Sequence, residues 1–279
     1  MARPIDHGEI IDINVLGSLS VCDNGLSIVP TAPKPRQVLA LLALRADQVV
    51  PVAELVEELW DGSPPRSART TLQTYMLNLR ERIREALVAR GDGHTSPKDV
   101  LATLPSGYCL HLGGGSVDFH DFERLAGTGY RAMDAGDHAG ASRRLREALA
   151  LWSGPALADV SVGSRLRTEV DRMEESRLCA LDQRIDADLR LGRHRELLPE
   201  LTVLVSRYRM HESLHGQFMV ALYLSGRRSE ALKVYQRLRD MLVAEAGLEP
   251  SPAIGRLQRQ ILQSSPRCCR PVSRPRPTG

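Results

Sequence analysis

The segment SPPRSARTTLQTYMLNLRERIREAL, residues 63–87, constrains this chain more than any other part of it. A Ser-Pro-Pro stop opens it, and one long amphipathic helix follows. Leu72, Met76, Leu79, Ile83 and Leu87 recur at three- and four-residue steps and so share one face. The opposite face lacks the usual Glu/Lys mixture. It carries Arg66, Arg69, Thr70, Gln73, Thr74, Asn78, Arg80 and Arg84, side chains that donate to phosphates or read base edges. A plain solvated helix would favour Glu/Lys pairs over Thr, Gln and Asn. Leu77 projects about 140° from the Leu72 direction at about 100° per residue, where it would suit a thymine methyl. A helix anchored on one side and rich in Arg, Asn, Gln and Thr on the other fits the DNA major groove.

The flanking sequence frames this helix. Ile11, Ile13 and Val15, then Leu19 and Val21, then Leu26 and Ile28 alternate as a small antiparallel sheet with a hairpin turn at Asn24-Gly25. Pro33 to Pro35 break the chain, and residues 36–46 form a short apolar helix. Val49-Val50 suits a brief returning strand. Residues 52–60 form a second helix ended by Asp61-Gly62. Residues 88–99 read as polar loop, and residues 101–112 as two short strands around Pro105-Ser106-Gly107. Sheet, helix, helix, long basic helix, hairpin is the order of a winged helix-turn-helix. Gly113-Gly114-Gly115-Ser116 marks the expected domain boundary.

From Val117 to about Gln263 the chain is helical almost throughout. Three segments, 131–152, 186–208 and 220–242, each read as apolar helix, Gly-containing turn, apolar helix. Gly192 and Gly226 are 34 residues apart, the tetratricopeptide period. Gly136 lies farther off, so an insert near residues 152–170 interrupts the array. The expected layout is a flexible stretch 1–9, a winged-helix domain 10–112, a tetratricopeptide-like helical domain 117–263 and a disordered Pro/Arg-rich tail 264–279. The fold class is mainly α, with an α+β domain first.

Composition narrows the function. The 279 residues are 42% apolar but only 4% aromatic, so the cores are built of Leu, Val, Ile and Ala. Net charge is +3, yet the basic residues concentrate: Arg66, Arg69, Arg80, Arg82 and Arg84 surround a single acid, Glu81. Such a strip predicts salt-dependent DNA affinity. No apolar run approaches the roughly 20 residues of a membrane span, and five cysteines form no CxxC pair or disulfide framework. A cytoplasmic, reduced protein with no membrane partner is expected. Cys268 and Cys269 read as exposed thiols.

Other motifs have plain explanations. His211-Glu212-Ser213-Leu214-His215 matches the HExxH zinc-protease pattern but has no third ligand at a familiar spacing. Gly127 to Ala132 matches GxGxxA, but no strand precedes it. Asp118, Asp121 and Glu123 suit the start of a helix. No catalytic residue, metal or cofactor is assigned, and no enzyme activity is expected.

The order PKPRQVLALLALRADQVVPVAELVEELWDGSPPRSARTTLQTYMLNLRERI followed by LPSGYCL closely resembles the DNA-binding domain of Streptomyces antibiotic regulatory proteins. LREALALWSGPALADV, LRLGRHRELLPEL and VALYLSGRRSEALKVYQRLRDMLVAEAGLEPSPAIGRLQRQIL look like their bacterial transcriptional activation domain. The resemblance covers about residues 10–262. It implies an OmpR-type winged helix that activates a secondary-metabolite (antibiotic) gene cluster. It further implies binding to promoter direct repeats of double-stranded DNA, a homodimer on that DNA, and recruitment of RNA polymerase. With no ATPase or sensor module in view, the chain is similar to the small, stand-alone members. The wing departs from the family pattern in lacking an Arg before Gly107-Tyr108.

On this reading Arg66, Arg69 and Arg84 hold phosphates. Gln73, Thr74, Leu77 and Asn78 face bases, Arg80 does either, and Tyr108 braces or contacts DNA through the wing; Thr70 on the recognition helix and Ser106 and Gly107 on the wing complete the expected DNA-binding residues. The rival reading is a helical-repeat adaptor that binds a protein or small molecule without touching DNA.

Overall fold

The computed structural model describes residues 11–23, 25–89, 91–92 and 94–263. The expected flexible N-terminus, Asn24 and the tail with Cys268 and Cys269 lie outside the described residues.

The chain begins with an antiparallel meander, β1 (Ile11–Asn14), β2 (Ser20–Asp23) and β3 (Leu26–Ser27), in that spatial order. Ile11 and Ile13 point inward while Asp12 and Asn14 point out, as period-two alternation requires. Helix α1 (Pro33–Leu44) starts earlier than expected. Pro33 and Pro35 do not break the chain; they occupy its first turn, where a missing N–H costs nothing. β4 (Val50–Pro51) and α2 (Val52–Trp60) follow, and Asp61 ends α2 in the left-handed region at φ 45°. Helix α3 (Ala68–Ala89) is the long one. A short α4 (Pro97–Val100), absent from the sequence reading, is set by a capping box of Ser96 and Asp99. β5 (Leu101–Leu104) and β6 (Gly107–Leu110) complete a second sheet of order β4-β6-β5.

The remaining helices are α5 (Asp118–Asp134), α6 (His138–Leu149), α7 (Ser164–Arg190), α8 (His194–Arg207), α9 (Glu212–Leu224), α10 (Arg228–Ala246) and α11 (Pro252–Gln263). The turn glycines behave alike. Gly136, Gly192 and Gly226 have φ of 78°, 77° and 80°, which a side chain would disfavour. After each, the next amide donates five residues back: Asp137 to Ala132, Arg193 to Asp188 and Arg227 to Leu222. This is one Schellman stop used three times, after α5, α7 and α9.

Packing divides the chain into two compact units between Leu181 and Asp182. The Gly113–Ser116 run does not separate two cores. A Cβ on Gly115 would lie 2.0 Å from the Ile11 carbonyl oxygen, and Ser116 O accepts the amide of Ile13 at 2.9 Å. The glycine therefore serves close approach, not freedom. The core of the first unit runs from β1 and α3 through Phe119, Phe122 and Trp152 to Met173 and Ala180. A separate core in the second unit gathers Met219, Leu222, Leu238 and Ile261.

Three carboxylates bind the first unit together. Asp118 accepts the amides of Val15 and Leu16 at 2.9 and 3.1 Å, a role beyond the helix-start charge expected of it. Burial raises its pKa against the lowering by those amides. Asp159 accepts the Leu19 amide at 2.7 Å and pairs with Arg36 at 2.9 Å. Glu58, on α2 and 2% exposed, is the most enclosed of the three. Its Oε1 accepts from Gln37 Nε2 and from the Gly163 amide, each at 2.6 Å, and its Oε2 accepts the Leu166 amide at 2.9 Å. Glu58 thus caps the N-terminus of α7 from another helix, where free amides and the helix dipole favour an anion.

Glu58→Ala strands these buried donors and should cost about 3 kcal/mol of unfolding free energy. Glu58→Gln should lose most of that too, because its NH2 must face an amide N–H. Glu57→Ala, which breaks only the exposed pair with Arg165, should cost less than about 1 kcal/mol. Urea unfolding of the three variants checks the ranking; equal losses at both positions would contradict it.

Candidate nucleic-acid interface

Helix α3 has two faces of different chemistry. Leu72, Met76 and Leu79 are each 1% exposed and Ile83 is 2% exposed, and the stripe packs toward α1 and α2. Burying a side chain of this size contributes roughly 1.5–3 kcal/mol, so the rotation of α3 about its axis is strongly set. Arg69, Thr70, Gln73, Thr74, Leu77, Asn78 and Arg84 consequently lie exposed together on the outer side. Leu77 is 64% exposed. Arg66 is also exposed, but it sits in the turn before α3 and not on the helix.

Local bonds refine the individual roles. The Thr74 hydroxyl donates to Thr70 O at 3.1 Å, leaving its methyl and oxygen lone pairs outward. Arg84 pairs with Glu81, three residues earlier on the exposed surface. Such a pair is worth about 0–1 kcal/mol and is easily exchanged for a phosphate. Glu81 and Glu85 are the exposed acids of this helix, and Arg84 pairs with the first of them. Val88, 69% exposed, continues the Leu77–Glu81–Arg84 line and was not foreseen. Its spacing of seven from Glu81 was the available signal.

Arg80 has a different task from the one expected. Its Nε and Nη2 donate to Leu101 O at 3.0 and 2.7 Å, and Nη2 donates to Thr103 Oγ1 at 2.7 Å. The guanidinium ties α3 to the first wing strand, so Arg80 positions the wing. The wing residues also need correction. Tyr108 is only 7% exposed and belongs to the core, and Gly107 is buried. A Cβ on Gly107 would sit 2.0 Å from Val50 O, because β4 pairs there with β6. Gly107 and Tyr108 brace the wing from inside. Its outward surface is Thr103, Leu104, Pro105 and Ser106, all exposed.

The other motifs resolve into packing. His211 Nδ1 accepts the Leu214 amide at 3.3 Å as the N-cap of α9. Glu212 accepts the Ser251 amide at 2.7 Å, and His215 Nδ1 donates to His211 O at 3.1 Å. Among the described residues no three His, Cys, Asp or Glu side chains gather as a metal site. In the GxGxxA match, a Cβ on Gly129 would meet Leu145 Cγ at 2.6 Å, so that glycine lets α5 and α6 approach closely. No helix among the described residues is long and apolar enough to cross a membrane.

Two family models match the chain. Residues 117–262 match the bacterial transcriptional activator domain, and residues 27–109 match the C-terminal domain of transcriptional regulatory proteins. Regulatory protein DnrI of Streptomyces peucetius is 51% identical over 257 residues, covering 92% of this chain and 93% of that protein. Regulatory protein AfsR of Streptomyces coelicolor is 35% identical over 94% of this chain, which spans only 25% of AfsR. Among solved structures, Mycobacterium tuberculosis EmbR in complex with a low-affinity phosphopeptide superposes with a TM-score of 0.79 at 32% identity. That match covers 91% of this chain and 65% of EmbR.

Arg80→Ala should speed amide exchange across Leu101–Leu104 by at least about tenfold, since a buried or part-buried tether of about 1.5–3 kcal/mol is lost. Unchanged exchange there would show that the wing is held by other contacts. His215 supplies a pH signature. Burial, and to a lesser degree the neighbouring His211, lower its pKa against the His211 carbonyl bond. The unfolded chain then binds the proton first, so this contribution to stability is present above about pH 6.5 and is lost as pH falls below it. Between pH 7 and 5 the wild-type Tm should fall more steeply than that of His215→Gln; parallel slopes would contradict this.

Proposed function

Because this chain belongs to the Streptomyces antibiotic regulatory protein family of transcriptional activators, we propose that α3 enters the major groove of promoter DNA and reads its sequence. One observation carries the reading: the amide- and Leu-bearing side of α3 is solvent-exposed while its aliphatic stripe is buried. Gln73 and Asn78 suit adenine, whose N6 and N7 match a carboxamide in a bidentate pair. Leu77 suits a thymine methyl. Arg66, Arg69 and Arg84 would neutralise phosphates on either side of the groove and set the register. The exposed wing segment, Thr103 to Ser106, would rest on the adjacent backbone, steered by Arg80.

The target is a direct repeat upstream of a secondary-metabolite gene cluster, occupied by two copies of the chain. Residues 10–112 bind DNA, and residues 117–263 act on RNA polymerase. The rigid capping of α7 by Glu58 supports a mechanical link between the two functions, since α2 and the start of α7 cannot shift independently without unpairing buried amides.

Footprinting of the full chain on promoters of its neighbouring genes locates the site, and anisotropy titrations on that site separate the roles. Asn78→Ala should weaken specific binding by about 1–3 kcal/mol and relax preference at one base pair. Arg69→Ala should weaken specific and non-specific DNA alike and lower the salt slope by about one. If both variants lose affinity equally on every sequence, this division of labour is wrong. If one repeat binds as tightly as two, the paired arrangement fails.

A further inference from the structure

The second compact unit contains a cavity that the DNA-binding reading does not use. It lies between α8, α9 and α10 and has a volume of about 450 Å³. Three helical stripes converge on it. His215, Phe218 and Leu222 come from α9, and Val234, Arg237 and Met241 come from α10, while α8 adds Val205 and Ser206. Val205, Phe218, Leu222, Val234 and Met241 give the cavity an apolar wall, and Thr202, Ser206, His215 and the charged groups of α10 and its N-cap add polar groups around it, a combination that suits an amphipathic small molecule.

Two polar features give the cavity a direction. His215 lines it, yet the residue is only 4% exposed. Its Nδ1 carries the proton donated to His211 O, so in the neutral ring Nε2 is an acceptor, and it has no hydrogen-bond partner among the described residues. At the rim, Arg227 is bound by Glu230 through two bonds of 2.7 and 2.6 Å. Arg237, exposed on the same line of α10, makes no ion pair among the described residues, although its field reaches Glu230. The rim therefore carries two cations against one carboxylate.

We propose that this cavity binds a small organic acid. Its apolar body would fill the space between Phe218, Leu222, Val234 and Met241, its anionic group would meet Arg237, and a hydroxyl would donate to His215 Nε2. The cavity is lined only by residues of the second unit, and a ligand there would give the helical-repeat unit a way to sense a metabolite.

The full chain tests this with two fluorescent probes, and neither measurement needs DNA, so a failure here leaves the reading of α3 untouched. The probes are 1-anilinonaphthalene-8-sulfonate, an apolar monoanion, and its neutral analogue N-phenyl-1-naphthylamine. Both should bind saturably with one site per chain. Arg237→Glu, a surface change compatible with folding, should weaken the anion by about tenfold and leave the neutral probe within about twofold. Val234→Trp, which fills the cavity, should abolish both, with circular dichroism reporting whether it folds. Absence of saturable binding, equal affinity of the anion for wild type and Arg237→Glu, or loss of both probes on self-association of the chain would each overturn the proposal. The last result would mean that a second copy covers this face.

Discussion

A single buried carboxylate organises the first unit. Glu58 leaves α2 and enters a pocket of N–H groups from α1 and from the first turn of α7. An isolated charge in that position would be prohibitive. Here each of its oxygens accepts strong, charge-assisted bonds, and the dipole of a 27-residue helix points its positive end at the anion. A Cβ on Gly163 would sit 2.1 Å from Glu58 O, so the residue that permits this approach is as constrained as the carboxylate. The consequence reaches the candidate interface. Helix α2 is one of the helices against which α3 packs, with α1 and α4, and an α2 held against α7 gives α3 a fixed floor on that side.

On that floor α3 resolves two demands. Its inner stripe is apolar and needs no polar partner, so it alone determines the rotation of the helix. The outer side is then free to carry residues chosen for something other than stability. Thr70, Gln73, Thr74 and Asn78 are poorer helix formers than Glu or Lys, and Leu77 exposes a large apolar surface. Each is a small local cost with no return inside the folded chain. Under the proposed function, the return lies in a partner with base edges and methyl groups. Arg80 shows the opposite choice on the same helix: its charge is engaged within the protein, binding strand β5 so that wing and helix present one surface.

Much of this was legible in the sequence because it follows from periodicity. The inner stripe of α3, the exposed Leu77, the three αL glycines and the β5–β6 hairpin all obey local rules of spacing and backbone strain. What escaped depends on contacts between distant segments. Tyr108 reads as a wing residue from its place beside a turn, yet β4 pairs with β6 and turns its ring inward. Arg80 reads as another cation on a basic strip, because nothing local shows Leu101 O within reach. Glu58 and Asp118 look like surface helix acids, and only the fold reveals the amides more than a hundred residues away that they accept. The prolines of α1 misled for a simpler reason: a proline breaks a helix interior but suits its first turn.

The most direct measurement of the central claim is site-specific photocrosslinking of the intact chain to promoter DNA. A photoreactive phenylalanine analogue replaces Leu77 in one preparation and Met76, one residue away on the buried side, in another. The account requires crosslinks from position 77 to bases within the footprint and none from position 76. Crosslinks from neither position, on DNA that the protein demonstrably occupies, would mean that α3 does not enter the groove.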